Sequence, residues 1–97
     1  MDIKEWQEMV HAWAKSKGWY DSERPTPELL CLLHSEVSEA LEAYRNRDEN
    51  NFKEELADLF IRLVDACEYW NIDLEVEVYK KHEYNKIRTY RHGNKRC

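Results

Sequence analysis

Glycine and proline are nearly missing from this chain, with two of each in 97 residues. With 36% charged and 42% hydrophobic residues, that scarcity gives the composition of solvated amphipathic helices and argues against disorder. Long apolar runs are missing too. Nothing approaches the roughly 18 residues needed to cross a bilayer, and the opening MDIKEWQEM lacks the apolar centre of a signal peptide. The expected location is therefore the cytoplasm, with no membrane partner. Cysteine usage excludes two further classes: Cys31, Cys67 and Cys97 are odd in number and form no CxxC pair, so neither a disulfide framework nor a thiolate zinc site is encoded. Positive charge is in deficit as well. The formal net charge of -5 disfavours passive attraction of polyanions, so nucleic acid is an unfavoured partner. A phosphorylated substrate would need local cations or a bound metal to offset the repulsion.

The chain fits one domain over residues 1–97, because about 100 residues cannot house two cores. A domain of this size buries only roughly two-thirds of the surface of its unfolded chain. Association into a homodimer or homotetramer is expected on that ground, and off-stripe apolar residues such as Ile61 and Cys31 suggest a second buried face.

Four helices are predicted, over about residues 3–17, 27–45, 52–70 and 74–88, which makes the fold class all-α and four-helix bundle-like. Asp2 followed by Glu5 is a capping-box pattern, the stripe Ile3, Trp6, Val10, Trp13 and Ala14 is the expected buried face, and Gly18 ends the helix. Thr26 is the expected cap of the second helix, with Pro27 in its first turn and Leu29, Leu30, Leu33, Val37, Ala40, Leu41 and Tyr44 as its apolar face. Asn51 with Glu54 repeats the capping pattern before a third stripe of Phe52, Leu56, Leu59, Phe60, Leu63, Val64, Cys67 and Trp70. Asp73 caps the fourth helix. There Leu74 to Val78 also alternates with a period of two, which leaves a strand as the alternative. Residues 89–97 read as a basic tail.

Two of these helices carry carboxylates three apart: Glu36 and Glu39 on the second, Glu55 and Asp58 on the third. Each pair faces one way, with Glu36 and Glu55 at the edge of the packed stripes and Glu39 and Asp58 further out, and a short connection makes the helices antiparallel neighbours. Charged faces are full of such pairs, so decorated surface is the competing reading, and Glu42, Glu54 and Asp65, expected farther from the core, illustrate it. If the four carboxylates converge, an all-oxygen set without His or Cys selects a hard cation, Mg2+ or Mn2+. Magnesium also binds substrate phosphates, which meets the charge problem above.

The segments HAWAKSKGWY (11–20), LLHSEVSEALEAYR (32–45), EELADLFIRLVD (54–65) and KHEYNKIRTYRHGNK (81–95) together resemble the MazG-like all-alpha nucleoside triphosphate pyrophosphohydrolases, relatives of dimeric dUTPases and dCTP pyrophosphatases. The resemblance spans nearly the whole chain. It implies that Glu36, Glu39, Glu55 and Asp58 bind magnesium for attack of water on the α-phosphorus, giving a nucleoside monophosphate and pyrophosphate, with Glu39 chosen to orient the water. It further implies substrate contacts at Lys81 and Asn85 on the fourth helix, with Arg88 and Arg62 as phosphate ligands, Trp19 beside the base and His11 near the substrate. Each of these residues has a plainer role open to it: the cations at the core margin, Trp19 as a loop anchor. The resemblance also leaves Arg91, His92, Lys95 and Arg96 of the tail as candidates to fold over a phosphate. Thr89 stands where relatives often carry proline, which loosens the expected path of that tail.

Other classes fit less well. A di-iron carboxylate bundle needs two Glu-x-x-His motifs, and only Glu8 with His11 provides one. A non-enzymatic helical module, oligomerising or binding nucleic acid through the basic tail, is the remaining alternative, and a net negative domain supports it poorly.

Overall fold

A computed structural model describes residues 1–88; the tail from Thr89 onward, with Arg91, His92, Lys95 and Arg96, lies outside the described residues. The chain is all-helical, with α1 at Ile3–Ser16, α2 at Thr26–Arg45, α3 at Glu49–Tyr69 and α4 at Leu74–Lys86. Antiparallel α2 and α3 form the largest interface, α1 packs on α3, and α4 rests more lightly on α1. The Leu74 to Val78 stretch is helical, which removes the strand alternative.

Local chemistry sets most of the boundaries. Asp2 and Glu5 form the reciprocal capping box on α1, and Gly18 at φ 85 ends that helix in the left-handed conformation. Asp73 caps α4 through the Val76 amide. Two expected caps are displaced. Thr26 lies inside α2, whose N-cap is Pro25, and its hydroxyl accepts a hydrogen bond from Trp70 instead. The third helix opens at Glu49 rather than 52, because Asp48 outcompetes Asn51: its carboxylate accepts the Asn51 amide. A carboxylate at a helix N-terminus gains charge as well as a hydrogen bond from that site.

The core is thin. Its buried apolar residues are Val10, Ala14, Leu29, Ala40, Ala43, Val64, Ala66 and Cys67, mostly small. Several large residues expected inside are exposed: Trp6 and Trp13 on α1, Leu30, Val37, Leu41 and Tyr44 on α2, and Leu56 and Phe60 on α3. The apolar stripes are wider than the surface their neighbours cover, most plainly on α2, which packs chiefly on α3, so periodicity overstated the burial. Among the described residues, no helix is long and apolar enough to cross a membrane.

Gln7 organises the far end. Its side chain is fully buried, donates to the Glu68 carboxylate and the Ile72 carbonyl, and accepts the Leu74 amide. The Glu75 carboxylate at the start of α4 accepts the Ile3 amide at the start of α1. One buried amide thus joins α1 to the turn between α3 and α4.

Candidate active site

Along one face of α3 the residues Glu55, Asp58, Arg62, Asp65 and Tyr69 follow one another at alternating steps of three and four, which keeps them in register on a helix. Glu36 and Glu39 stand one turn apart on the neighbouring α2. A ligand oxygen from each of Glu36, Glu39 and Glu55 lies within 4.8 Å of the others. Asp58 falls outside that tight group and lines the adjoining cavity beside Glu36.

The electrostatics of the group are unbalanced. Glu36 is 5% exposed, and its Oε1 accepts from Arg62 Nε at 2.5 Å. Burial by itself would push Glu36 up, but the Arg62 hydrogen bond, helped by the neighbouring Glu55 and Glu39 carboxyls, holds it below its ordinary value. Glu55 moves the other way, to about 7, driven by the Glu39 carboxyl beside it, then by burial and by Glu36. The crowding of carboxylates thus keeps a proton on Glu55 to higher pH than on an ordinary glutamate. Glu36 Oε2 and Glu55 Oε2 are both buried without a hydrogen-bond partner. Unsatisfied buried oxygens are costly, and two of them in an all-oxygen cluster suit a hard divalent cation. Glu36, Glu39 and Glu55 are the residues that would hold it.

Beside the carboxylates lies a cavity of about 250 Å³ bounded by Val10, Trp13 and Ala14 of α1, by Trp19, and by Glu36, Asp58, Ile61, Arg62 and Asp65. The Arg62 guanidinium lies 5.4 Å from the centre of the Trp19 ring, so it touches the acidic group at one end and an aromatic face at the other. Trp13 lies next to Trp19, ring centres 6.5 Å apart, and so faces the cavity rather than the core. One wall is thus apolar and aromatic and the opposite end carries charge, the pattern of a small-molecule site.

Asp65 reverses its sequence reading. Far from being surface decoration, it is 8% exposed, with Oδ1 2.8 Å from His11 Nδ1 and Oδ2 accepting the Tyr20 hydroxyl at 2.7 Å. The spacing signal was present, since Asp65 lies seven residues after Asp58 on the same face, but its partners come from α1 and the loop. His11 is accordingly committed to Asp65 behind the cavity wall. On α4, Lys81 and Asn85 are exposed and Arg88 half-buried. Lys81 and Arg88 pack on the Tyr84 ring, and Arg88 reaches Asn85. No described hydrogen bond or ion pair brings these three to the carboxylates.

The chain matches the MazG nucleotide pyrophosphohydrolase domain family over residues 25–89. That span holds α2, α3 and α4 with all four candidate carboxylates, while α1 and Trp19 lie before it. Neither a curated protein nor a solved structure gives a significant match. The matched span is well over half of the chain, and it covers the helices that build the acidic group, so this chain belongs to the MazG nucleotide pyrophosphohydrolase family.

Proposed function

We propose that the chain hydrolyses ribo- or deoxyribonucleoside triphosphates to the monophosphate and pyrophosphate in the cytoplasm, with Mg2+ as its cofactor and Mn2+ as a substitute, and so clears unwanted nucleotides from the pool. The observation that carries this reading is the pair of unpartnered buried oxygens on Glu36 and Glu55, set beside a cavity with an aromatic wall. Magnesium, when bound, supplies charge neutralisation at the phosphates and a more acidic attacking water.

The residues divide the remaining work. Glu36, Glu39, Glu55 and Asp58 form the anionic bed, and Glu39, the exposed member of the tight group, orients the water. Trp19 offers its ring to the base, where stacking tolerates different bases. Arg62 lies between that ring and Glu36, positioned to meet phosphate charge. Lys81, Asn85 and Arg88 are the substrate contacts assigned to α4, and His11 supports the base side from behind the wall. The unpartnered apolar faces of α2 and α3 suit a homodimer or homotetramer, because the core of one chain is too thin to use its large side chains.

The test is a panel of nucleoside triphosphates with Mg2+, scored for pyrophosphate against orthophosphate. Release of pyrophosphate with the monophosphate supports the proposal, and no turnover anywhere on the panel defeats it. Glu36→Gln and Asp58→Asn should each abolish metal-dependent turnover while circular dichroism stays helical. Persistent activity in both would mean that the acidic group is not the site.

A further inference from the structure

Asp65 is the buried ionisable group that the proposed chemistry leaves unused. Both of its oxygens are engaged, one by His11 of α1 and the other by Tyr20, so each already has a partner within the chain. What it holds is the segment between α1 and α2. The Tyr20 ring packs against His11 at 4.7 Å and against Tyr69 at 4.6 Å between centres. Tyr69, one turn beyond Asp65 on α3, accepts the Arg24 amide through its hydroxyl. Arg24 in turn donates to the Trp19 carbonyl at 3.0 Å and pairs with Glu28 of α2. Trp19 is therefore followed at two points of its loop, Tyr20 and Arg24, by residues tied to α3, although the residue itself is 41% exposed.

We infer that Asp65 is a positioning residue for substrate, fixing Trp19 as the wall of the base-binding cavity through Tyr20, with Tyr69 and Arg24 holding a second point of the same loop. The inference rests on the nucleotide reading above. A loop of this length shifts its half-exposed tryptophan unless its backbone is fixed, and ordering it at the moment of binding lowers affinity. Asp65 and Tyr69 remove that cost beforehand. The phosphate end of the site stands on α2 and α3 and meets this loop where Arg62 lies over the Trp19 ring.

The experiment measures affinity without turnover, so that it stands apart from the hydrolysis panel. Calorimetry with Mg2+ and the α,β-imido analogues of dUTP and dATP is applied to the parent, Trp19→Phe, Tyr20→Phe, Asp65→Asn and the Trp19→Phe/Tyr20→Phe pair, with inorganic tripolyphosphate as a ligand lacking a base. Tyr20→Phe and Asp65→Asn should weaken analogue binding roughly five- to tenfold, the scale of one lost hydrogen bond, and leave tripolyphosphate binding within about twofold. The paired variant should bind no worse than Trp19→Phe alone, because the two changes act through one wall. If Trp19→Phe weakens the analogues and Tyr20→Phe does not, the anchoring role is overturned. Equal losses for analogue and tripolyphosphate mark Asp65 as a general support of the fold and overturn it too. An unchanged Trp19→Phe, or a parent that binds no analogue, removes the base wall and the inference with it. Tyr20→Phe keeps the ring and its stacking, so the test survives should Asp65→Asn fold poorly.

Discussion

Glu36 and Arg62 meet across the α2–α3 interface at 2.5 Å, and the pair consumes only one of the two carboxylate oxygens. The other oxygen stays unpartnered in a residue whose carboxylate is grouped with Glu39 and Glu55. Replacing the arginine would leave a buried charge without its compensation. Arg62→Met is expected to destabilise the metal-free protein by about 1–3 kcal/mol, less than the roughly 3–5 kcal/mol of a fully buried pair because Arg62 is partly exposed. Added Mg2+ should recover more stability in the variant than in the parent. Thermal unfolding in EDTA and in Mg2+ checks both statements, and equal metal-induced shifts would count against them.

Glu55 gives the metal-free protein a distinctive dependence on pH. Its folded value near 7 lies above the ordinary carboxylate value of 4.5, so between these limits the folded state holds a proton that the unfolded state has lost. Stability from this group is complete below about pH 4.5 and is lost as pH rises toward 7 and beyond. Unfolding curves in EDTA should show that decline, and Glu55→Gln should flatten it. The same proton must leave when a cation binds, so Mg2+ affinity should rise with pH through this window and calorimetry in buffers of different ionisation enthalpy should record proton release.

Gln7 predicts a stability effect remote from the chemistry. Gln7→Leu keeps bulk in a fully buried position but strips partners from the Ile72 carbonyl and the Leu74 amide. The expected loss is about 1–3 kcal/mol per group left unsatisfied in the interior. Hydrogen exchange should accelerate first in α4, whose hold on the rest of the fold runs through this amide. Uniform acceleration across all four helices would point to a different origin.

The exposed series Leu30, Val37, Leu41 and Tyr44 on α2 should be covered by another copy of the chain. Leu41→Lys is expected to lower the mass measured by light scattering to that of one chain, or to shift the association midpoint at least tenfold, since burying an unpaired lysine in an apolar interface costs about 1.4 kcal/mol or more. A parent that is already monomeric at all concentrations would refute the premise.

The helices were legible because capping and periodicity are local: Asp2 with Glu5, Gly18 and Asp73 each act within a turn of their own position. The α3 start was misplaced because Asp48 and Asn51 carry the same kind of cap and only their competition decides between them. The convergence of Glu36, Glu39 and Glu55 could be anticipated from two i, i+3 pairs on adjacent helices. Asp65 could not, since a single carboxylate on a charged helix reads as solvent-facing until His11 and Tyr20 arrive from 54 and 45 residues away. The exposure of Trp6, Leu41 and Tyr44 was hidden for the converse reason: periodicity reports which face is apolar and is silent on whether one chain is enough to cover it.

The run Glu55, Asp58, Arg62, Asp65, Tyr69 places the α3 share of the acidic group, the Arg62 guanidinium and both loop anchors on one uninterrupted helix. A single inserted residue between Asp58 and Asp65 would swing the two ends about 100° apart around the helix axis, so that no adjustment of side chains could serve both. Variants of this chain that gain or lose length should therefore do so in the turns at 46–48 and 71–73, and α3 should behave as a fixed gauge whose length cannot be edited one residue at a time.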